Sequence, residues 1–544
     1  MIDLKANPFF LTDQEINWVH DTLQSMTTDE KIHQMFCILG DAYSPEDLER
    51  LTAQGISGVL FRPVRTAAEI ADHFHKLDRI AKYPLLHAAN LEEGGAGISS
   101  DGTYFANPLQ VAASRSTEDN VHFAECCASE GAAADVNWTF SPVSDLDMNY
   151  LNPITNCRTY GSNLDKVCKN TTEYVETVQK RGIAACAKHF PGDGVDYRDQ
   201  HLHPTYNSLS IEEWFESYGE VYWKMIHKGL LSVMAGHICQ PALEAEFGGS
   251  KNPEEALPGS LSPALLTGVL RKRLQFNGLI TTDATIMGGY TMPMKRRDAI
   301  PATFNAGSDM IVFSTDIDED VSYVRDALKN GVLSMERVDE AVTRVLALKA
   351  KVCGKVHAEP VPSAAWQKEC ADHSVTLVKD LDNLLPISPV RFKMIRLMLL
   401  GQDHCWDGSV REMLCEELEN RGFAVEIYQP FEDDLHGTKD LPKDRLTLGI
   451  FNYPHASNQT MVRVAWCPKH AMEIPRFLNE ESIIFASLAN PYHLQDIPRV
   501  RTFINCYTAN RAMISALVEK LCGESPFEGE SPVDPFCGLP DTRL

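Results

Sequence analysis

The stretch "GIAACAKHFPGDGVDYRDQHLHP" (182–204) begins as an apolar run and continues as a loop that is dense in titratable side chains. The run ends near Lys188 and His189, and the loop then adds two turn glycines, three aspartates and two more histidines. Enzymes built on a (β/α)8 barrel carry their chemistry at the carboxyl ends of buried strands. The stretch therefore predicts a strand that leads into a functional loop. A metal site, a phosphate loop and a proton-transfer loop are the candidates.

Seven similar apolar runs precede or follow this one, and amphipathic, helix-like segments separate most of them. The runs are "HQMFCILG" (33–40), "GISGVLFR" (55–62), "YPLLHAAN" (83–90), "DVNWTFSPVSD" (135–145), "LLSVMAGHI" (230–238), "GLITTDA" (278–284) and "SDMIVF" (308–313). Eight strands with helical connections are typical of a (β/α)8 TIM-type barrel. A doubly wound open α/β sheet is the competing arrangement.

Polar side chains at the ends of several runs favour the barrel. These residues are Asn90, Asp145, Lys188 with His189, His237 and Asp283. In a parallel barrel the carboxyl ends of all strands meet at one rim. The polarity of loops in general is the alternative explanation for any single one of them.

A second, smaller domain follows the barrel. The helix predicted at "SMERVDEAVTRVLALKAKV" (334–352) closes the first region, and a stretch containing proline resembles a linker. Six more apolar runs with interposed helices then predict an α/β sandwich. We expect a barrel domain at 1–355, a linker at 356–365 and the sandwich domain at 366–544.

Composition limits the partners of this chain of 544 residues. Its net charge of -25 argues against nucleic acid or an anionic membrane as the main partner. No run approaches eighteen apolar residues, and the start shows no secretion signal, so we expect no membrane span. The fifteen cysteines form no Cys-x-x-Cys pair, which favours reduced thiols in a cytoplasmic protein.

The loop chemistry fits proton transfer better than metal or phosphate binding. "PGDG" lacks the phosphate-loop arrangement, and the acidic and histidine residues follow no common zinc or calcium spacing. We therefore expect no metal and no cofactor. Asp199 and His201 are two residues apart, so both side chains point the same way in an extended segment. A carboxylate beside an imidazole fixes its tautomer and raises its pKa, which suits a general acid and base. A solvated surface pair is the alternative.

Asp283 supplies a second carboxylate at the end of an apolar strand. Such a residue is held rigidly and is partly desolvated, so it could attack an anomeric carbon and form a covalent glycosyl-enzyme. Its alternative role is the N-cap of the following helix.

Several motifs within residues 26–352 resemble those of one known family. "KHFPGDGVDYRDQH" (188–201) closely resembles the Lys-His-Phe-Pro-Gly-x-Gly-x-x-x-x-Asp-x-His signature of β-N-acetylglucosaminidases in glycoside hydrolase family 3. The order of the other motifs agrees with this family: "TTDEKIHQMF" (27–36), "NPITNCRTYG" (152–161), "LPGSLSPALLTGVLRKRLQFNGLITTDA" (257–284) and "AIPATFNAGSDMIVF" (299–313).

The resemblance implies a retaining exo-glycosidase that releases terminal β-linked N-acetylglucosamine. It implies Asp283 as the nucleophile and His201 as the acid/base, with Asp199 as its partner on a mobile loop. It also implies sugar-binding roles for other residues. At the third strand, "ANLEEGGAG" (89–97) departs from the usual Asp-x-Glu-Gly-Gly. The implied sugar-binding residues are Lys188, His189, Arg158, Asp145, His237, Asn90 and Glu92.

Three other functions stay open. A phosphorylase is compatible with the family, because a histidine acid/base does not repel an anionic phosphate acceptor. A β-glucosidase or xylosidase specificity is the second alternative, although the Asp-x-His loop speaks against it. A sugar-binding protein without turnover is the third, and the presence of Asp283, Asp199 and His201 argues against it. Gln200 also departs from the serine or threonine that usually separates the aspartate and the histidine.

Overall fold

The structure is a computed structural model and describes residues 2–429, 442–455, 457–466, 474, 476 and 478–544. Contacts divide the chain into two compact units, which are described separately below. The first unit comprises Met1–Phe105, Ala124–Asn152 and Val167–Pro362. The second comprises Ala106–Phe123, Pro153–Lys166 and Ser363–Leu544.

The first unit is built around a barrel of parallel strands. Its strands are β1 (Phe36–Leu39), β2 (Gly58–Leu60), β3 (Leu86–Ala89), β4 (Trp138–Thr139), β5 (Ala184–Phe190), β6 (Thr205–Tyr206), β7 (Ser232–Ala235), β8 (Ile238–Cys239), β9 (Leu279–Ala284) and β10 (Met310–Val312). All except β6 and β8 close into a barrel in the order β1-β10-β9-β7-β5-β4-β3-β2. Each of the eight predicted runs contains one barrel strand, so the predicted TIM-type barrel is confirmed and the open sheet is excluded.

The α-helices of the described residues follow in chain order. They are α1 (Asp13–Ser25), α2 (Thr28–His33), α3 (Pro45–Gln54), α4 (Ala67–Asp78), α5 (Pro108–Ala113), α6 (Asp119–Ala133), α7 (Leu164–Lys180), α8 (Ile211–Phe215), α9 (Tyr218–His227), α10 (Pro241–Glu246), α11 (Gly288–Thr291), α12 (Arg296–Ala306), α13 (Ile317–Lys329), α14 (Met335–Val352), α15 (Ser363–Ser374), α16 (Val410–Asn420) and α17 (Arg511–Cys522). A π-helical segment, Ala264–Arg273, precedes β9.

Local sequence explains where many of these helices begin. A threonine or serine and a glutamate three residues later form a reciprocal capping box at the start of α1, α2, α4 and α8. Ser334 caps α14, which occupies the helix predicted at 334–352. None of the helices in the described residues has the length and apolarity that crossing a membrane requires.

A buried aspartate ties the carboxyl-terminal part of the barrel together. Asp309, directly before β10, is fully buried and accepts hydrogen bonds from Arg271 (2.6 Å), Arg337 (2.8 Å) and the Ile280 amide (3.0 Å). Arg271 belongs to the π-helical segment and Arg337 to α14. A third guanidinium group, that of Arg344, lies 3.4 Å from Asp309. Burial alone would raise the pKa of the Asp309 carboxyl, but the three guanidinium groups lower it.

The second unit contains a mixed sheet. Its main strands are β11 (Thr376–Asp380), β12 (Met394–Gly401), β15 (Ala424–Ile427), β16 (Arg445–Asn452), β17 (Ser482–Ser487) and β18 (Thr502–Asn505), and a small ribbon joins β13 (His404–Cys405) to β14 (Gly408–Ser409). The order is β11-β18-β17-β16-β12-β15, with β11 antiparallel and the other pairs parallel. Side chains alternate between two apolar clusters, so both faces of the sheet are covered. The predicted α/β sandwich is confirmed.

The division by contacts differs from the predicted domain arrangement, in which a linker at 356–365 separates the two domains. The segments 106–123 and 153–166 group with the second unit, far from it in sequence. Within that unit, the Asn107 side chain donates to the Tyr507 carbonyl (2.7 Å), and the Ser162 amide donates to the Pro532 carbonyl (3.2 Å). Contacts that join residues hundreds of positions apart leave no trace in local sequence patterns. Residues 355–362 form neither helix nor strand.

Candidate active site

The polar residues predicted at strand ends all lie toward the carboxyl ends of barrel strands. Asn90 follows β3. His189 is the second-to-last residue of β5, and Lys188 directly precedes it. Asp145 follows β4 in a segment that pairs Val143 with Lys188. His237 lies between β7 and β8, and Asp283 is the penultimate residue of β9. Because the barrel strands are parallel, these side chains share one rim.

Asp283 carries an ionised carboxylate at this rim. Its side chain is 15% exposed, and one carboxylate oxygen lies 3.8 Å from Nε2 of His189. Burial alone would raise its pKa, but the imidazoles of His189, His237 and His201 lower it to about 2. Asp283 is therefore deprotonated across the neutral range, as an attacking carboxylate must be.

His189 is oriented by a second buried carboxylate. Oδ2 of Asp145 lies 2.7 Å from Nδ1 of His189, and Oδ1 accepts from the backbone amides of His189 (3.1 Å) and Asp193 (2.8 Å). The hydrogen on Nδ1 therefore points at Asp145, which leaves Nε2 facing Asp283. Asp145 and His189, which were predicted separately as sugar-binding residues, thus form a connected unit with Asp283.

Glu92 is the acidic residue of the third-strand loop that reaches Lys188. Lys188 is almost fully buried, forms an ion pair with Glu92 and donates to Oδ1 of Asn90 (3.1 Å). Glu92 is 8% exposed, whereas Glu93 is half-buried and accepts from the Phe105 amide through its carbonyl. Asn90 and Glu92 therefore both contact the ammonium group of Lys188.

The loop after β5 forms the predicted pair of Asp199 and His201. Oδ1 of Asp199 lies 2.7 Å from Nδ1 of His201 and also accepts the His201 backbone amide at 2.8 Å. The Asp199 side chain is fully buried, whereas that of His201 is 24% exposed. Because Nδ1 of His201 faces Asp199, Nε2 is the ring nitrogen that can exchange a proton with a substrate.

His237 is held as a neutral imidazole. It is fully buried, Nδ1 lies 2.9 Å from Oγ of Ser260 and Nε2 lies 3.1 Å from the Ala284 carbonyl. Burial lowers its pKa to about 4, against the opposite influence of Asp283. Both ring nitrogens are engaged within the protein, so His237 supports the end of β9 that carries Asp283.

Arg158 lies in the other unit. It is the last residue of a 3-10 turn, Asn156–Arg158, and it is half-buried. This turn belongs to the segment 153–166 of the second unit.

Two residues at the rim were not predicted as site residues. Asp193 is 2% exposed and accepts from the Asn152 side chain (3.0 Å) and from Nε2 of Gln200 (3.1 Å). Burial and the nearby charge of Asp145 raise the pKa of Asp193 to about 6. Gln200 is fully buried, and its departure from serine or threonine was the one signal that marked it in the sequence.

Each of the three aspartates in the loop after β5 contacts its own partners, and their carboxylates do not gather around one point. Asp196 pairs with Arg198 (2.6 Å), while Asp193 and Asp199 have the partners given above. In the described residues, the group whose atoms come together is Asp78, His87 and Asp135, within 4.8 Å of one another near the amino ends of β3 and β4. Burial lowers the pKa of His87, but Asp135 and Asp78 raise it to about 9, so this cluster is an ion pair at neutral pH. It lies at the barrel end opposite to Asp283.

The family of the chain follows from a comparison with known proteins. Residues 27–348 match the model described as the N-terminal domain of glycosyl hydrolase family 3. The chain belongs to glycoside hydrolase family 3. This confirms the resemblance on which the sequence interpretation rests, while the roles of individual residues stay predictions.

Full-length relatives within glycoside hydrolase family 3 are also known. The chain is 40% identical to a Cellulomonas fimi protein named beta-N-acetylglucosaminidase/beta-glucosidase, over all of both chains. The solved structure of a protein named beta-glucoside phosphorylase BglX shares 39% identity and a TM-score of 0.92, covering 99% of each chain. A beta-hexosaminidase of Haemophilus influenzae is 25% identical over 53% of this chain and 81% of its own length.

Proposed function

We propose that the protein is a retaining exo-glycosidase that hydrolyses terminal β-linked N-acetylglucosamine at the non-reducing end of its substrate. The observation that carries this proposal is the ionised Asp283 at the barrel rim, with His189 beside it and the Asp199–His201 pair on the adjoining loop. A carboxylate nucleophile and a separate proton donor are the two groups that glycosyl transfer with retention requires.

The reaction proceeds in two steps. An oxygen of Asp283 attacks the anomeric carbon while the glycosidic bond breaks, and the leaving oxygen receives the proton of Nε2 of His201. Water then attacks the glycosyl-enzyme, gives its proton to His201 and releases Asp283. Asp199 holds the other ring nitrogen throughout, so His201 presents Nε2 in both steps.

Sugar hydroxyls have several candidate partners at the same rim. Lys188, Asn90 and Glu92 form one polar group, and Asp145 and His189 form another. His237, whose ring nitrogens contact Ser260 and Ala284, is a proposed sugar contact from the family resemblance alone. Charged and amide side chains that are already oriented by each other suit the recognition of a small polyhydroxylated ligand. Arg158 remains a proposed sugar ligand from the family motif alone.

Phosphorolysis is the second candidate function. The acid/base group of this site is an imidazole, which does not repel a phosphate dianion as a carboxylate would. Similarity to a protein named beta-glucoside phosphorylase over 99% of both chains supports this candidate. The same full-length comparisons make glucose an alternative to N-acetylglucosamine, because the Cellulomonas fimi relative is named for both activities.

One assay separates these candidates. The purified protein is incubated with 4-nitrophenyl β-N-acetylglucosaminide or β-glucoside, each with and without phosphate, and the sugar product is identified by NMR. We expect free N-acetylglucosamine under both conditions. A sugar 1-phosphate, formed at a rate that rises with phosphate, would establish the phosphorylase instead. Release from the glucoside alone would replace the proposed sugar but keep the mechanism.

A cytoplasmic location is also proposed, from the cysteine content, and fractionation of source cells tests it.

A further inference from the structure

The segment Asp199–Leu202, which we name the acid/base segment, is attached to the barrel by two sets of hydrogen bonds. Gln200 lies between the two members of the proposed dyad, and its side chain points into the protein, where it is fully buried. The carbonyls of Gln200 and His201 accept from the backbone amides of Gly289 (3.1 Å) and Gly288 (2.8 Å). These glycines open α11, in the loop that follows Asp283.

The amide of Gln200 bridges two different parts of the rim. Nε2 donates to Oδ2 of Asp193 (3.1 Å), and Oε1 accepts from the backbone amide of His237 (2.7 Å). One partner is an acceptor and the other is a donor, so an amide satisfies both at once. A serine hydroxyl lies two bonds closer to the backbone and would not reach the positions of these amide atoms.

The two glycines bring the acid/base segment close to the nucleophile strand. A Cβ atom on Gly288 would overlap the Leu202 carbonyl, and one on Gly289 would lie 2.6 Å from both the Gln200 carbonyl oxygen and Cβ of His237. The first amides of a helix have no partner within it, and here the acid/base segment supplies their acceptors. The backbone of the acid/base segment thus packs directly against the backbone of the loop that follows Asp283.

The first half of the same loop has independent supports. Trp214 donates to the Pro191 carbonyl (2.8 Å), Asn207 to the Gly192 carbonyl (3.1 Å) and Tyr218 to the Asp193 carbonyl (2.5 Å). None of these bonds reaches the acid/base segment. The contacts that join the segment itself to the loop after Asp283 and to the His237 amide are those of Gln200 and the two glycines, and the pairing of β6 with β8 holds the chain that follows it.

We propose that Gln200, together with Gly288 and Gly289, positions His201 relative to Asp283. In this position His201 can protonate the leaving oxygen while Asp283 attacks the anomeric carbon. This inference rests on the proposed function, since it requires His201 to be the acid. Gln200 does not touch the substrate in this role and acts only through His201. A misplacement of about 1 Å costs on the order of 10²-fold in rate, so loss of the bridge should reduce acid catalysis.

Leaving-group dependence measures this effect. The kcat/KM of Gln200→Ala is compared with that of the unmodified protein on 2,4-dinitrophenyl and methyl β-N-acetylglucosaminides, or the glucosides if glucose is the accepted sugar. The dinitrophenolate departs without a proton, whereas the alkoxide needs one. We expect a loss of about 10- to 100-fold on the methyl glycoside, mainly in kcat, and less than about threefold on the aryl glycoside.

Gln179→Ala is the matched control. This glutamine, near the end of α7, also donates to a carbonyl, of Gly229 (2.8 Å), and accepts a backbone amide, of Leu231 (3.0 Å). Its two partners directly precede β7, at the end of the barrel opposite to Asp283. Its loss should lower Tm without changing the ratio of the two kcat/KM values. Gly289→Ala, which displaces the segment from the other side, should reproduce the ratio change of Gln200→Ala.

The outcomes separate the positioning role from the proposed function. An unchanged ratio in folded Gln200→Ala or Gly289→Ala overturns the positioning role. If both are unfolded, Gln200→Ser provides the same comparison. An unchanged ratio in His201→Ala instead shows that His201 is not the acid, and the proposed function fails with it. When the positioning role of Gln200 and the acid role of His201 both hold, the double substitution should have the same kcat/KM ratio as His201→Ala alone. The reason is that the two residues act in one step.

Discussion

At the residue scale, Asp283 is the side chain on which the proposed reaction depends. Replacement by alanine removes the attacking oxygen, so we expect turnover of every substrate to fall by at least about 10⁴-fold. Azide should restore release from an activated aryl glycoside and form the glycosyl azide of inverted configuration, since a small anion can occupy the vacated space. Steady-state kinetics and NMR of the product test this. Undiminished activity in a folded Asp283→Ala protein would exclude Asp283 as the nucleophile.

His201 is the second residue whose role a single substitution tests. Its removal leaves Asp283 intact, so an activated aryl glycoside should still glycosylate the enzyme. Substrates with poor leaving groups should lose about 10²- to 10⁴-fold in kcat/KM, the usual contribution of a general acid. A series of aryl glycosides of graded phenol pKa measures the effect. Equal losses across the series would count against His201 as the acid.

At the scale of elements, Asp309 joins β10 to β9, α14 and the π-helical segment. In Asp309→Asn the buried guanidinium groups of Arg271, Arg337 and Arg344 lose the carboxylate at which they converge. Arg337 and Arg344 retain Glu340, so Arg271 is the guanidinium most affected. Unpaired buried charge is costly, so we expect the free energy of unfolding of the barrel unit to fall by about 3–5 kcal/mol. Urea denaturation monitored by circular dichroism measures it.

The matched substitution for Asp309 is Asp326→Asn. Asp326 pairs with Arg297 at 3.4 Å, and both side chains are more than half exposed. An exposed ion pair contributes at most about 1 kcal/mol. Equal effects of the two substitutions would show that the buried network around Asp309 does not stabilise the fold.

At the scale of the whole molecule, the cysteines test the fold without any substrate. Fourteen cysteines of the described residues form no disulfide, and eleven of these are buried. Burial raises thiol pKa values, as at Cys186 and Cys239 to about 12, and scarce thiolate reacts slowly. A thiol reagent such as Ellman's should therefore react quickly with at most four of the fifteen cysteines of the native protein. These are the three half-buried thiols and Cys467, which lies outside the described residues.

Unfolding in guanidinium should release all fifteen thiols without a reductant. A lower titre that a reductant raises to fifteen would reveal a disulfide. Fast reaction of most thiols in the native state would contradict the packing of the two cores.

Sequence alone was sufficient for features that depend on neighbouring residues. The eight barrel strands follow from apolar runs bounded by polar ends, because a buried parallel strand excludes polar side chains along its length. The pair Asp199 and His201 was predicted from a spacing of two in an extended segment. The structure forms the pair in a turn instead, where the Asp199 carboxylate accepts the His201 amide and the Asp199 carbonyl accepts the Leu202 amide. Asp283 was likewise marked by its place at a strand end.

Tertiary structure alone decided which distant groups meet. Glu92, rather than Glu93, reaches Lys188 because the loop after β3 turns back toward β5. Gln200 joins Asp193 to the His237 amide, and this bridge exists only once β5 and β7 are adjacent in the closed barrel. The grouping of 106–123 with residues beyond 363 also depends on contacts across hundreds of positions. Periodicity reports burial of a segment but not its partner, and partners are chosen by closure of the whole chain.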